Sequence, residues 1–157
     1  MADQPTTGAN GSGDSPERVW HDRATAGIVL LDAVGLILMQ LRDDIPTIAD
    51  PGCWVIPGGE LDPDETPEDG ARREFLEETG YQIPPGEMQF VFSRDLPRPQ
   101  GTTERQYYFL GRYDGVQTIT CYEGQELRFI PPGDLAHMKT SPGLAEIIGI
   151  TLREVGG

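Results

Sequence analysis

The chain reads as a mixed α/β domain, and three observations predict it. Apolar runs of strand length recur between residues 24 and 130. One strongly capped helical segment interrupts them near the middle, and one apolar helical stripe follows them at the end. The length, 157 residues, suits a single domain with a sizeable core, and no internal repeat divides it.

Residues 1–17, MADQPTTGANGSGDSPE, contain no aromatic or branched aliphatic side chain, so a disordered segment is expected there and the folded domain over 18–157. No apolar run reaches membrane-spanning length, and no basic stretch leads into an apolar one. Cytoplasmic residence without membrane attachment is the expectation. Cys53 and Cys121 are too few for a disulfide framework and lack metal-ligand spacing, so both are expected to be reduced and structural. A formal charge of −14 argues against a nucleic-acid polymer as partner. It leaves a small nucleotide open, because bound divalent ions reverse the local field where phosphates sit.

Taken in order, Ala24 to Leu31 predicts a strand, Asp32 to Gly35 a turn, and Leu36 to Leu41 its hairpin partner. A polar loop leads to a short strand, Trp54 to Ile56, and then to Pro57-Gly58-Gly59, where the glycines permit a tight turn and close backbone approach to a ligand. Met88 to Phe92 and Arg105 to Leu110 predict strands separated by the polar loop SRDLPRPQGTTE. Val116 to Tyr122 fits a strand or an extended loop edge, and Leu127 to Ile130 a short strand. A brief helical turn over residues 134–137 precedes a last helix carrying Leu144, Ile147, Ile148, Thr151 and Leu152 on one face.

The central helix carries the chemistry. Thr66 suits the N-cap, Pro67 the first helical position, Asp69 the return arm of a capping box and Gly80 the C-terminal stop. Ala71 and Phe75, flanked by Leu76, are expected to pack it against the sheet. Glu74, Glu77 and Glu78 then emerge together, and Arg73 cannot neutralise all three. A hard divalent cation, Mg²⁺ or Mn²⁺, meets that need.

Gly59, Glu65, Arg73, Glu74, Phe75, Glu77, Glu78, Gly80 and Tyr81 together resemble the Nudix box without a gap. Tyr81 stands where an aliphatic residue is usual, and Asp64 where many members have glycine. The resemblance implies an α/β/α sandwich with a mixed central sheet, and Mg²⁺-dependent hydrolysis of a nucleoside diphosphate linked to another group, with Mn²⁺ as a substitute. It implies metal ligands at Glu74, Glu77, Glu78 and the Gly58 carbonyl, with Glu65 and Arg73 as catalytic supports. Glu123-Gly124-Gln125 resembles the segment that completes the site in MutT-type members, making Glu123 a metal ligand and candidate base beside Glu74. The fold also admits a homodimer.

For the substrate, Trp54 and Tyr107 are the aromatic candidates and Arg23 and Arg94 the cationic ones; Tyr108, Arg42, Arg98 and Arg105 also come into view. The leading expectation is cleavage of a nucleoside triphosphate to the monophosphate and pyrophosphate. The alternatives are ADP-ribose, a nucleotide sugar or another linked diphosphate, and a noncatalytic nucleotide-binding regulator. A proline beyond the box marks the ADP-ribose group, and Pro97 stands near that place. If Glu77 and Glu78 act on metal, Glu77→Gln and Glu78→Gln should each lower turnover about a hundredfold while circular dichroism stays native; wild-type turnover in either would remove that residue's role.

Overall fold

A computed structural model of the chain describes residues 23–84, 86–98 and 101–156. The segment expected to be disordered, residues 1–17, lies outside them. The elements run β1 (Arg23–Leu31), β2 (Ile37–Leu41), β3 (Trp54–Val55), β4 (Gly58–Glu60), α1 (Pro67–Thr79), β5 (Met88–Pro97), β6 (Thr103–Arg112), β7 (Glu126–Ile130), a 3₁₀ turn (Pro132–His137) and α2 (Leu144–Gly156). The strands form one mixed sheet among the described residues, ordered β3-β2-β1-β6-β5, with β7 also paired to β2 and β4 to β1. Among the described strands, β1 and β6 pair in parallel and the other strand pairs are antiparallel.

The sheet lies between the helices, as an α/β/α sandwich. Alternation along β1 sends Ile28 and Leu30 to one side, against Ala71 and Phe75 of α1, and Val29 and Leu31 to the other, against Leu144 and Ile148 of α2. Phe75 and Ile28 are fully buried, each worth about 2 kcal/mol of apolar burial. Leu76, expected to help, is exposed: it lies one helical step off the buried row of Ala71, Phe75, Glu78 and Thr79.

Local chemistry sets the helix ends. The Asp69 N–H donates to Thr66 Oγ1 at 3.1 Å. Gly80 takes the left-handed conformation, φ 73°, and its N–H donates to the Leu76 carbonyl at 2.8 Å.

Two expectations are corrected and one open alternative is decided. The polar loop between β5 and β6 is mostly paired backbone, its register running through Asp95↔Arg105 to Pro97↔Thr103. Cross-strand ion pairs, Arg105 with Asp95 and Arg98 with Glu104, make a ribbon of residues that look loop-like in sequence. Residues 116–122 take the extended-loop alternative, docking on the end of α1: Thr120 and Tyr122 donate to the carbonyls of Thr79 and Glu78 at 2.8 and 3.0 Å. Helix ends leave such carbonyls without partners, and here a distant segment satisfies them. Finally, Gly58-Gly59 is a strand, not a tight turn.

That strand fixes the cleft. β1 and β2 pair at Leu31↔Ile37, beside their hairpin, and β4 takes the place next to β1 farther on. A Cβ on Gly58 would stand 2.2 Å from the Ala26 carbonyl oxygen, with backbone rather than a flexible side chain in the way. Gly58→Ala should therefore cost roughly 3 kcal/mol in urea unfolding. Gly133→Ala, where nothing lies within 4 Å, should stay within about 0.5 kcal/mol of wild type.

Candidate active site

The site begins where α1 presses its carboxylates on β4. A Cβ on Gly59 would come 2.4 Å from the Glu74 carboxyl carbon, so a larger residue there would displace the Glu74 side chain from its present place. The Gly58 N–H donates to Glu78 Oε1 at 3.1 Å. Glu78 is 3 % exposed, on the same helical row as Phe75. Burial first, and the charge of Glu123 second, push its carboxyl up to about 8; the Gly58 N–H and Arg42 pull the other way. Burial also raises Glu74, against the pull of Arg73. The three glutamates are unequal: the Glu74 side chain is 17 % exposed and that of Glu77 56 %.

Arg73 ties this cluster to the preceding loop. Its Nε donates to Glu65 Oε2 at 2.5 Å, and its Nη2 to Glu65 Oε1 at 2.9 Å and the Glu60 carbonyl at 3.1 Å. Its Nη1 reaches Glu74 at 3.2 Å and Glu77 at 3.3 Å. The Arg73 hydrogen bond, helped by the Asp62 N–H at 2.8 Å, holds the Glu65 carboxyl down at about 2.

Glu123 arrives from the far end of the chain. Its side chain is exposed, and its charge bears on both Glu78 and Glu74. The turn that carries it is fastened to β2: Gln40 Nε2 donates to the Glu123 carbonyl at 3.0 Å, and the Gln125 N–H to the Leu41 carbonyl at 2.7 Å. Cys53 is buried, but Cys121, read from sequence as structural, is exposed, with its thiol 3.3 Å from the Glu123 carbonyl.

The donor set fits a divalent cation. Glu78 is a buried carboxyl whose only hydrogen-bond partner among the described residues is one N–H, and it is surrounded by further carboxylates. No three acidic, histidine or cysteine side chains close a metal site by themselves among the described residues. Mg²⁺ is held by one or two carboxylates with waters and substrate phosphates completing its shell, and Glu78 and Glu74 are carboxylates of that kind.

The residues expected to meet substrate separate. Arg23 and Tyr107 line a hollow of about 440 Å³ with Glu60, Asp62 and Glu65. A second hollow, about 180 Å³, runs past Gly58 and Gly59 and includes Gln40, Arg42, Gln106 and Tyr108. Arg94 borders its polar floor, donating to Gln106 Oε1 at 2.8 Å and standing 5.9 Å from the Tyr108 ring centre. Trp54 is corrected: it is 8 % exposed, packed in the core on the α2 side, with Arg128 5.0 Å from its ring centre. Strand β3 is two residues long, and alternation cannot be read over so short a run. Gln40 and Gln106 were not among the sequence candidates. The signal for Gln40 was one polar side chain inside the apolar strand ILMQL.

Comparison with known proteins gives a consistent result. The model for the NUDIX domain matches residues 21–148. A Bacillus subtilis (strain 168) protein provisionally named an 8-oxo-dGTP diphosphatase is 34% identical over 113 residues, 70% of this chain and 67% of that protein. An RNA pyrophosphohydrolase of Erythrobacter litoralis is 29% identical over 148 residues, 83% of this chain and 87% of that protein. The crystal structure of a MutT protein from Methanosarcina mazei Go1 superposes with a TM-score of 0.70 at 22% identity, over 86% of this chain and 96% of that one, a likeness of fold.

The raised carboxyl of Glu78 gives stability a defined pH dependence. Between its ordinary 4.5 and about 8, the folded state of the metal-free protein holds a proton that the unfolded chain releases. Stability from this group is complete below about pH 4.5 and is lost as pH rises through 8. Glu65 works in the opposite sense, its share lost as pH falls below 4.5 towards 2. In chelator, the melting temperature should fall from pH 5 to pH 8, and Glu78→Gln should remove most of that slope; an unchanged slope would refute the assignment.

Proposed function

We propose, from the premise that this chain belongs to the Nudix hydrolase family, that the diphosphate it cleaves joins a nucleoside to a neutral, hydroxyl-bearing group, as in ADP-ribose or a nucleotide sugar. Membership makes the chain a pyrophosphohydrolase of a diphosphate-linked substrate. One observation carries the narrower reading. Two hollows border β4, one lined by Gly58 and Gly59, on which Glu78 and Glu74 pack, and the larger lined by the next residue, Glu60, and by Glu65. A linked diphosphate has a bulky group for each. The larger hollow has an aromatic wall, Tyr107, and three carboxylates against Arg23. Such a lining repels the extra phosphates of a triphosphate and offers acceptors to sugar hydroxyls.

The residues divide the work as follows. Glu74, Glu78 and the Gly58 carbonyl, with Glu77 and Glu123, would hold Mg²⁺ or Mn²⁺. When bound, the cation supplies counter-charge for phosphate oxygens and lowers the pKa of water. Glu74 or Glu123 takes the proton of the attacking water. Arg73, anchored by Glu65, keeps Glu74 in its orientation, a task worth more here than charge pairing because attack must be in line. Arg23 and Tyr107 meet the group beyond the diphosphate, and Arg94 sets the floor of the other hollow through Gln106.

The triphosphate reading has its own support in the name of the B. subtilis relative. Products decide between them. With Mg²⁺, ADP-ribose or nucleotide sugars should yield a nucleoside monophosphate and a phosphorylated sugar faster than nucleoside triphosphates or a 5′-triphosphate RNA oligonucleotide yield pyrophosphate, and chelator should stop both. Tyr107→Leu should raise KM for the linked substrate about tenfold, the loss of one stacking contact. Faster pyrophosphate release from a triphosphate would return the assignment to the MutT-type reaction.

A further inference from the structure

The side chain of Gln40 is 3 % exposed. It lies in β2 among Ile37, Leu38, Met39 and Leu41, where every neighbour along the strand is apolar. Burying an amide costs about 1–3 kcal/mol unless its hydrogen bonds are replaced. Here the replacement is partial. Nε2 donates to the Glu123 carbonyl at 3.0 Å, while Oε1 has no partner among the described residues. The orientation of the amide is not ambiguous, because a carbonyl can only accept and the nitrogen must face it. For the fold alone, a methionine would fill this place as well or better.

The same side chain lines both the 180 Å³ hollow over Gly58 and Gly59 and a neighbouring one of about 190 Å³ that holds Glu123, Gly124 and Arg42. The turn it grips has little freedom of its own. Gly124 has φ 86°, and a Cβ there would stand 2.6 Å from the Leu41 carbonyl oxygen. Gln125 donates from its N–H to Leu41 and from Nε2 to the Arg42 carbonyl at 2.8 Å. Glu123 is thus followed by two fixed residues, and its own carbonyl accepts from buried Gln40 at 3.0 Å and from the exposed Cys121 thiol at 3.3 Å.

We propose that Gln40 is a positioning residue for the hydrolytic site, its Nε2 hydrogen bond holding the Glu123 peptide so that the Glu123 carboxylate stays beside Glu78. This rests on the reading of Glu123 as a member of that site. Gln40 touches no reacting atom; it acts through residues 123–125. The unpartnered Oε1 is the cost the fold bears for that contact.

The test uses Gln40→Met, Glu123→Gln and the double variant of the full chain. Hydrogen exchange in the metal-free protein should show faster exchange at Gly124 and Gln125 in Gln40→Met alone. Mn²⁺ binding, read by the electron paramagnetic resonance of the free ion, should weaken about tenfold in Gln40→Met. The kcat for the panel substrate turned over fastest should fall about tenfold. The melting temperature should equal or exceed that of wild type, since a half-satisfied buried amide is replaced by an apolar chain. In the Glu123→Gln background, adding Gln40→Met should change Mn²⁺ affinity and kcat less than twofold, because both act through one group.

A lowered melting temperature with effects that multiply in the double variant would overturn the proposal and leave Gln40 a structural residue. If Glu123→Gln weakens Mn²⁺ binding and kcat but Gln40→Met does not, only the positioning role falls. If Glu123→Gln itself leaves both unchanged, the place of Glu123 in the proposed function falls, and that of Gln40 with it.

Discussion

The burial of the Glu78 carboxyl against the Gly58 peptide is the constraint on which the rest of the structure depends. An acid on the buried row of a helix opposes folding unless its surroundings take up the charge or keep the proton. Here α1 cannot withdraw, because Phe75 and Ala71 on that row fill the core beneath the sheet. β4 cannot withdraw either, because it is paired to β1 through Gly58 and Gly59, with Gly58 lying close against the Ala26 and Gly27 backbone. Two rigid elements therefore hold a carboxyl in a place it would avoid if apolar packing alone decided. Stability lost at this point is what makes the group a proton or cation site.

The carboxylates around Glu78 come from segments that meet for different reasons. Glu74 is on the same helix and is steered by Arg73, whose guanidinium also fastens Glu65 and the Glu60 carbonyl. A planar donor with several N–H groups suits this better than a lysine would, because it satisfies acceptors in three directions at once. Glu123 is brought by backbone bonding of residues 120 and 122 to the last carbonyls of α1. The helix end that needs capping and the loop that supplies a carboxylate are one junction. Capping and site assembly are thus the same event, and loosening either disturbs the other.

How much of this was legible in the sequence follows from the range of the interactions. The ends of α1 were readable because Thr66, Pro67 and Gly80 act within a turn of where they stand. The hairpin β1–β2 was readable because Asp32 Oδ1 accepts from the nearby N–H groups of Val34 and Leu36. Strand β4 was not, since two glycines carry no periodicity and the reason for them is the Ala26 carbonyl and the Glu74 carboxyl, far away in sequence. The inner halves of β5 and β6 were readable as apolar runs, but their outer part, residues 93–97 and 103–104, reads as loop because its cohesion lies in arginine–carboxylate pairs across strands. Trp54 was misjudged by chemistry without placement: an aromatic beside a glycine-rich segment suggests stacking, yet its ring packs among Val29, Met39 and Ile148. Of the candidate site, the box was plain from spacing, while Gln40 and Gln106 depend on which hollow each strand faces.

The balance of charge around the cleft favours a cation. A polyanionic substrate approaching a chain of formal charge −14 needs positive groups at the point of reaction. Arg98 and Arg105 are paired with Glu104 and Asp95. Arg23 stands near Glu60 and Glu104, Arg94 near Glu146, and Arg73 among Glu65, Glu74 and Glu77. Arg42 is different: its Nε donates to the Ala49 carbonyl, and its charge is already felt at Glu78. One arginine at the rim of the smaller hollow cannot balance a diphosphate together with the glutamates around it. In the proposed reaction the missing positive charge is carried in by a divalent ion shared between carboxylates and phosphates, its most compact form. On the proposed reading, the acidity that repels the substrate and the acidity that recruits its counter-ion are the same carboxylates, so binding without the cation is electrostatically opposed at the place where binding has to occur.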